Sequence, residues 1–580
     1  MLQQHNAAQP HVNNQRPLQA ADRPVPVSTW VSSFRDEFQH MPRPEVPDFD
    51  PFDEDTEESS GISPSDDIGA LTINDLGQNG NTTDASVPIT LDDIQPSVAF
   101  QEDAAFLQST EFEPEALVTE IIPPPVPTTS SCDWYLPPPE VGTSLLAEYL
   151  NDFNAAYPLY DPHVIADHLR VCYAGQSDGS SVAWTSAYVI FGIAHMLRAM
   201  STTGTAYDGA MSKYYLARIY NGLNGVLFSP PSLGLVQCLI GVVSLISTTP
   251  CSYHLPEGHF ISTALRVIHS ISYQEDGTRI TKKEEEEQEQ RVFWLAFILD
   301  TNASIVNNTP TTHRHEDVVP CQPDFASKTL GALTAAEGDW KVDIFALRVN
   351  LAMIQAEAID QVLSVGSRNT TAMDLDAALA VVLARLLAFH DHEIFQLSPS
   401  QLFQMLYRSD IVHTVSLEAS YFATVFRLHA FVTFERNARI NPFSLEGMSR
   451  IAKAKKQKGF AAAKRLLSLL PIAPRGDVGL YWQQHRVFLA ALITVFAHHI
   501  YNPQDEPPTS TEISQYNQVL TDIGIMVQNS GNVEIGQIRA LALTLFMKLE
   551  TGLRIQWIQA IAEKNGTLTP DILRGESGTS

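Results

Sequence analysis

Two short runs crowd ionisable side chains together: His390-Asp391-His392-Glu393 and His313-Arg314-His315. Imidazoles and carboxylates at that density could hold a metal ion or pass a proton. Within each run, however, the histidines stand at i and i+2, which a helix directs to different sides. The spacing therefore favours structural or solvated histidines over a ligand set. A helical enzyme acting on diphosphates through magnesium needs aspartates on one helix face. The adjacent pairs Asp66-Asp67 and Asp92-Asp93 lie in an acidic stretch with no helical pattern. Cys132, Cys172, Cys238, Cys251 and Cys321 are far apart, with no Cys-x-x-Cys, so a tetrahedral zinc site has no ligand pairs to draw on. Buried, inert thiols are expected instead. Phosphate-cradling glycine loops, a Gly-x-Ser-x-Gly elbow and a His-Glu-x-x-His pair are all missing. No catalytic, cofactor-binding or metal-binding residue is assigned, and no enzyme is expected.

One basic cluster remains: Lys453, Lys455, Lys456 and Lys458, followed by Lys464 and Arg465. It reads first as the wet face of an amphipathic helix, with Phe460, Ala461, Leu466 and Leu467 on the dry face. Its second reading is a nuclear-import patch, which must be accessible to serve.

The elements that must position these residues are helical. Thr143 or Ser144 is placed to cap a helix with Leu145, Leu146, Tyr149, Leu150 and Phe153 on one face, stopping at Tyr157-Pro158. Pro230-Pro231 reads as a helix opener ahead of Leu235, Leu239, Val242, Val243 and Ile246. The same 3–4 spacing recurs at Ile411, Val415, Phe422 and Phe426, and from Phe488 to Ile500; Pro471 ends a leucine-rich helix. Period-2 strands at hairpin spacing and a fixed-length repeat are not evident. An all-α body is expected over 141–565, with 566–580 a disordered C-terminus.

Ahead of it lies a different kind of chain. The 580 residues carry 37 Lys+Arg against 66 Asp+Glu, a formal charge of −29. Residues 1–140 hold four of those bases and 25 of those acids, and no Lys or Arg occurs from Pro44 to Leu169. Such one-sign, proline-punctuated sequence cannot offset the entropy of ordering, so 1–140 is expected to be a disordered acidic tail. Phe49, Phe52, Ile68, Leu71, Ile73, Leu76, Ile89, Leu91, Ile94, Phe100, Phe106 and Phe112 are scattered among its acids. Carboxylate repulsion keeps these hydrophobes apart and available to a partner groove, the pattern of a transcriptional activation segment. The overall acidity excludes wholesale phosphate binding by the folded surface.

A membrane role is not expected. The N-terminus has no basic, apolar signal pattern. The longest uncharged apolar stretch, about Leu233 to Ile246, is shorter than the ~18–20 residues a spanning helix needs.

The order of landmarks carries a family resemblance. Leu145-Leu146-x-x-Tyr149, Phe153 and Tyr157-Pro158-Leu159 come first, then Val236-Gln237-Cys238-Leu239-Ile240 and Gly258-His259-Phe260-x-x-x-Ala264-Leu265-Arg266. The glutamates 284–287 precede Arg291-Val292-Phe293-Trp294-Leu295-Ala296-Phe297-Ile298-Leu299-Asp300, followed by Asn308-Thr309-Pro310, Asp317 and Pro320. Leu417 to His429, Ala461 to Lys464 and Tyr481 to Ala497 complete the series. Over roughly 140–500 this resembles the middle homology regulatory domain of fungal zinc-cluster transcription factors. Arg291, Phe293, Trp294, Asp300 and Pro310 are its structural motif. The helix 292–299 is apolar on nearly every side and must be buried, and the charges that bracket it need partners in a neighbouring helix or the following loop.

The resemblance implies a nuclear regulator of a metabolic pathway, such as a secondary-metabolite gene cluster. Family members usually carry an N-terminal six-cysteine zinc cluster with a basic linker, and that pattern is missing from this sequence. The chain is therefore expected to act through a DNA-binding partner protein, or on DNA directly if the gene model is truncated. A coactivator contacting the acidic tail is a further expected partner. A small-molecule effector and a homodimer stand as further candidates. Two departures from the family pattern are Thr301 after Asp300 and Asn308-Thr309-Pro310 in place of a Gly-Arg-Pro-like turn. The alternative is an all-α enzyme or small-molecule-binding protein on the same scaffold.

Overall fold

The computed structural model describes residues 136–174, 180–201, 204–250, 257–273, 283–318, 331–364, 371–474 and 478–564. These all fall within one compact unit. The acidic tail with its scattered hydrophobes, both aspartate pairs, Cys132, Cys251, Cys321, Pro320 and the 566–580 terminus lie outside the described residues.

The described body is helical, as its apolar periodicity requires. Helix α1 (Pro139–Glu148) runs into a π-helical turn, Tyr149–Asn154, and is followed by α2 (Pro162–Tyr173), α3 (Ser181–Met200) and α4 (Ala206–Leu227). Next come α5 (Leu233–Thr248), α6 (Glu257–Tyr273), α7 (Lys283–Asn307) and the single turn α8 (His315–Val318). Side-chain caps fix the starts: Asp161 accepts from the backbone N–H of His163 and Val164, and Ser180 from that of Ala183. Each cap satisfies a donor the first turn leaves orphaned.

Several expected boundaries move. Helix α1 begins at Pro139 and not at Thr143 or Ser144; the Thr143 hydroxyl instead donates back to the Pro139 carbonyl inside the helix. The last prolines of the linker thus open the body, because a first-turn proline loses no intrahelical bond. Pro230-Pro231 stays outside α5, whose cap is Ser232, accepting from Leu235 N–H. The leucine-rich helix does not end sharply at Pro471 but tightens into a 3-10 turn, Leu470–Ile472.

A two-stranded antiparallel hairpin interrupts the helices, pairing β1 (Ala332–Thr334) with β2 (Lys341–Asp343) in the register Leu333 to Val342. Strands this short carry no readable alternation, which hid them from periodicity. Gly338, at φ 86°, makes the turn between them.

Asp343 caps α9 (Ile344–Ala358), and then follow α10 (Ala372–His390), α11 (Glu393–Gln396), α12 (Pro399–Met405) and α13 (Arg408–Thr433). The body closes with α14 (Leu445–Lys453), α15 (Phe460–Leu469), α16 (Val478–Tyr501), α17 (Ser510–Ser530) and α18 (Val533–Lys564). Among the described residues, no helix is long and apolar enough to cross a membrane.

Two apolar cores share helix α9. Phe345, Val349, Ala352, Met353 and Ala356 pack into the core formed by α1 to α7. Ile344, Leu347, Leu351, Ile354 and Ala358 pack into the core formed by α10 to α18. Helix α9 is buried along most of its length between them, with Asn350 its one exposed residue.

Candidate functional site

Helix α7 carries the strongest motif, and its burial follows from its composition. Val292, Trp294, Leu295, Ala296, Phe297 and Ile298 are at most 1% exposed. Trp294 meets Phe297 edge-on at 5.5 Å, and Phe293 stacks with Phe297 at 6.2 Å between ring centres.

The charges at the two ends of this segment do different work. Buried Asp300 accepts the Thr312 backbone N–H at 2.7 Å and the Thr312 hydroxyl at 3.1 Å. Burial pushes the Asp300 carboxyl upward, and the two bonds from Thr312 oppose that rise. Asp300 therefore clasps the loop that follows its helix. Arg291 differs from expectation: it donates through Nε and Nη2 to Gln288 on its own helix, not to a neighbouring helix. The anchor is indirect, since Gln288 donates to the Leu159 carbonyl at 2.7 Å, beside Gln237 doing the same at 2.8 Å. Burial lowers the Arg291 pKa.

The loop after α7 is clasped from its other side as well. Asn308 sits at φ 60°, a left-handed conformation that Asn adopts more easily than most side chains. Its amide donates to the carbonyls of Ala438 at 3.1 Å and Arg439 at 3.3 Å, while its oxygen accepts from Arg427. Arg427, lowered to about 10 by burial, also donates to the Ile440 carbonyl. Asn308 thus fills a turn at positive φ, and its side chain adds a tie to α13 and the 438–440 loop. Pro310 follows, its carbonyl accepting weakly from Ser304 at 3.4 Å.

Between this loop and α6 lies a cleft of about 480 Å³, lined by Ser262, Arg266, His269, Ser270, Pro310, Thr311, Thr312 and His313. Arg266 belongs to the motif series read from sequence. Ser262, His269 and Ser270 were missed, although 262, 266, 269 and 270 mark one helical face. Ser262 and Thr312 share a hydrogen bond of 3.2 Å, so the Asp300 clasp forms part of the wall. The lining offers a guanidinium, two imidazoles and four hydroxyls, suited to a small polar or anionic molecule.

The histidine runs take structural positions. His313 meets Phe293 and His269 edge-on, and the His315 backbone N–H donates to Asp360. His390 ends α10, its Nε2 3.1 Å from buried Glu418, with its ring stacked on Tyr421 at 4.3 Å and Phe395 at 4.7 Å. His392 caps α11 by accepting from Ile394 N–H. Among the described residues, no group of three or more His, Cys, Asp or Glu side chains is placed to hold a metal ion. Cys172 and Cys238 are buried.

The lysine cluster does not form a helix face. Lys453 ends α14, and Lys455, Lys456 and Lys458 occupy the loop before α15, all four exposed. Ala454 sits in extended backbone as the C-cap, which breaks the helix between the first lysine and the rest.

Residues 146–328 match the fungal specific transcription factor domain. The buried Arg291–Asp300 segment lies inside the matched residues. A protein of Aspergillus fumigatus named as an ABC-transporter-regulating transcription factor is 23% identical over 417 residues, covering 70% of this chain and 46% of its own length. A protein of the same name from Aspergillus oryzae matches equally, at 23% over 417 residues. A transcriptional regulatory protein of Schizosaccharomyces pombe is 23% identical over 254 residues, covering 43% of this chain and 38% of its own. The chain spans about half the length of the two Aspergillus relatives.

Proposed function

We propose that this chain is a nuclear transcriptional regulator and not an enzyme, in which a helical regulatory domain follows an acidic activating segment. The observation that carries the reading is the match of 146–328 to the fungal specific transcription factor domain. The motif residues of that domain act as packing and clasps, a scaffold role. The acids and hydrophobes of 1–140 support a coactivator-binding segment, and the exposed lysines at 453, 455, 456 and 458 support nuclear import. DNA is reached through a DNA-binding partner or directly. The target is a metabolic pathway, a secondary-metabolite gene cluster or, from the names of the Aspergillus relatives, a transporter gene. The cleft beside the Asp300–Thr312 clasp supports control by a small polar effector.

The test is a reporter assay in a fungal host. Residues 1–140 fused to a heterologous DNA-binding domain should activate the reporter, and the tagged full chain should accumulate in nuclei. Replacing the four lysines by alanine should shift it to the cytoplasm. A stable, nuclear fusion that gives no activation removes the activator reading.

A further inference from the structure

The end of α16, the loop after it and one face of α18 enclose a pocket of about 140 Å³ that shares no residue with the cleft beside α6. Side-chain ties set its walls. Asn502 Nδ2 donates to the His498 carbonyl at 2.9 Å, and His498 Nε2 lies 2.9 Å from the Asp505 carboxylate. Gln556 on α18 donates to the Pro503 carbonyl at 3.4 Å. Pro507 and Pro508 lead the chain into the Thr509 cap of α17, so the loop side is stiff. Ile500, Leu549 and Leu553 complete an apolar lining.

Packing alone does not account for two of the residues around this pocket. His499 is 7% exposed, and its Nε2 is buried with no hydrogen-bond partner among the described residues. Burial keeps the ring neutral, its pKa lowered to about 4, so it offers one donor and one acceptor. A buried polar atom without a partner is costly and calls for one. Gly552 stands inside α18, where glycine is less stable than alanine. Yet a Cβ built there meets nothing within 4 Å, so no neighbour demands the glycine. The missing side chain leaves the mouth of the pocket open. Lys548, one turn earlier, is exposed at the same mouth and has no ion-pair partner among the described residues.

We propose that this pocket binds a small phenolic carboxylate, with its hydroxyl on His499, its ring among the apolar walls and its carboxylate on Lys548. A cavity of about 150 Å³ holds one benzene ring, which limits the ligand to a single ring with short substituents. A phenol both donates and accepts, so it meets His499 in either tautomer. An aromatic ring spans from buried floor to exposed mouth without rotatable bonds, so little freedom is lost on binding. The Asp505 carboxylate, already facing His498, leaves Lys548 to receive the acid. This site stands apart from the regulatory reading and does not depend on it.

Equilibrium dialysis of the full chain against 4-hydroxybenzoate should show saturable binding at one site per chain. Benzoate, which lacks the hydroxyl, should bind about tenfold more weakly, because His499 is then left unpaired. Lys548→Met should weaken 4-hydroxybenzoate roughly fivefold and leave phenol, which has no carboxylate, unchanged. Gly552→Leu should abolish binding of all three with unchanged circular dichroism, since position 552 has room for a side chain. Absence of saturable binding overturns the inference. So does equal affinity for benzoate, an equal loss for phenol in Lys548→Met, or binding that survives Gly552→Leu.

Discussion

The guanidinium carbon of Arg348 lies 3.8 Å from the centre of the Tyr157 ring. Arg348 is on α9 and Tyr157 follows the π-turn after α1, so the contact binds the shared helix to the first core. Arg348 Nη1 also donates to the Ala156 carbonyl at 3.1 Å. Burial lowers the Arg348 pKa, and the neighbouring tyrosine works against that fall. A buried cation over an aromatic face is worth about 2 kcal/mol. A double-mutant cycle with Arg348→Leu and Tyr157→Leu should give a coupling of about 1–2 kcal/mol in urea unfolding. Strict additivity would show that the two residues do not interact.

The turn at Asn308 separates backbone strain from side-chain bonding. Asn308→Ala loses the ties to Arg427, Ala438 and Arg439 and also places a less suited residue at φ 60°. Asn308→Gly loses only the ties. The alanine variant should therefore be the less stable by about 1 kcal/mol, measured by chemical denaturation. Equal losses would refute the strain assignment.

The Asp300 clasp predicts a local effect. Asp300→Ala removes the acceptor of both the Thr312 backbone N–H and its hydroxyl and should cost about 1–3 kcal/mol, more than Thr312→Val, which keeps the backbone bond. Trypsin cleavage after Arg314 should accelerate in the same variant. Unchanged cleavage would mean that the clasp does not hold the loop.

Acid should act partly through His499. Burial first, then His498 and Lys464, lowers its pKa to about 4. With an unfolded value near 6.5, the unfolded chain takes up the proton first as pH falls. The stability contribution is whole above about 6.5 and is lost as pH drops towards 4. His499→Leu should flatten the pH dependence across that window by an amount on the order of 2 kcal/mol. An unchanged slope would remove His499 from the titration.

The helical architecture and the burial of the α7 motif were legible because both rest on periodicity, a local property. Leu235, Val415, Phe488 and their neighbours at 3–4 spacing are all inside. What the sequence hid depends on partners distant in the chain. Arg291 looked like an anchor to another helix, yet its guanidinium is met by Gln288 one turn away. Asn308 looked like mere divergence until Arg427, more than a hundred residues on, proved to hold it. The lysine run looked amphipathic because residue types alone do not reveal that Ala454 leaves the helix. The cleft beside α6 could be read only in part, since one wall comes from a loop some fifty residues later.

Helix α9 presents one set of residues to each core. Neither core can shift that helix without opening gaps in the other, because packed interiors do not deform smoothly. Melting followed at Trp294 on one side and at Trp482 on the other should give superimposable curves. A cavity cut at Val349 should lower both by the same amount, so that damage in one half is felt as failure of the whole.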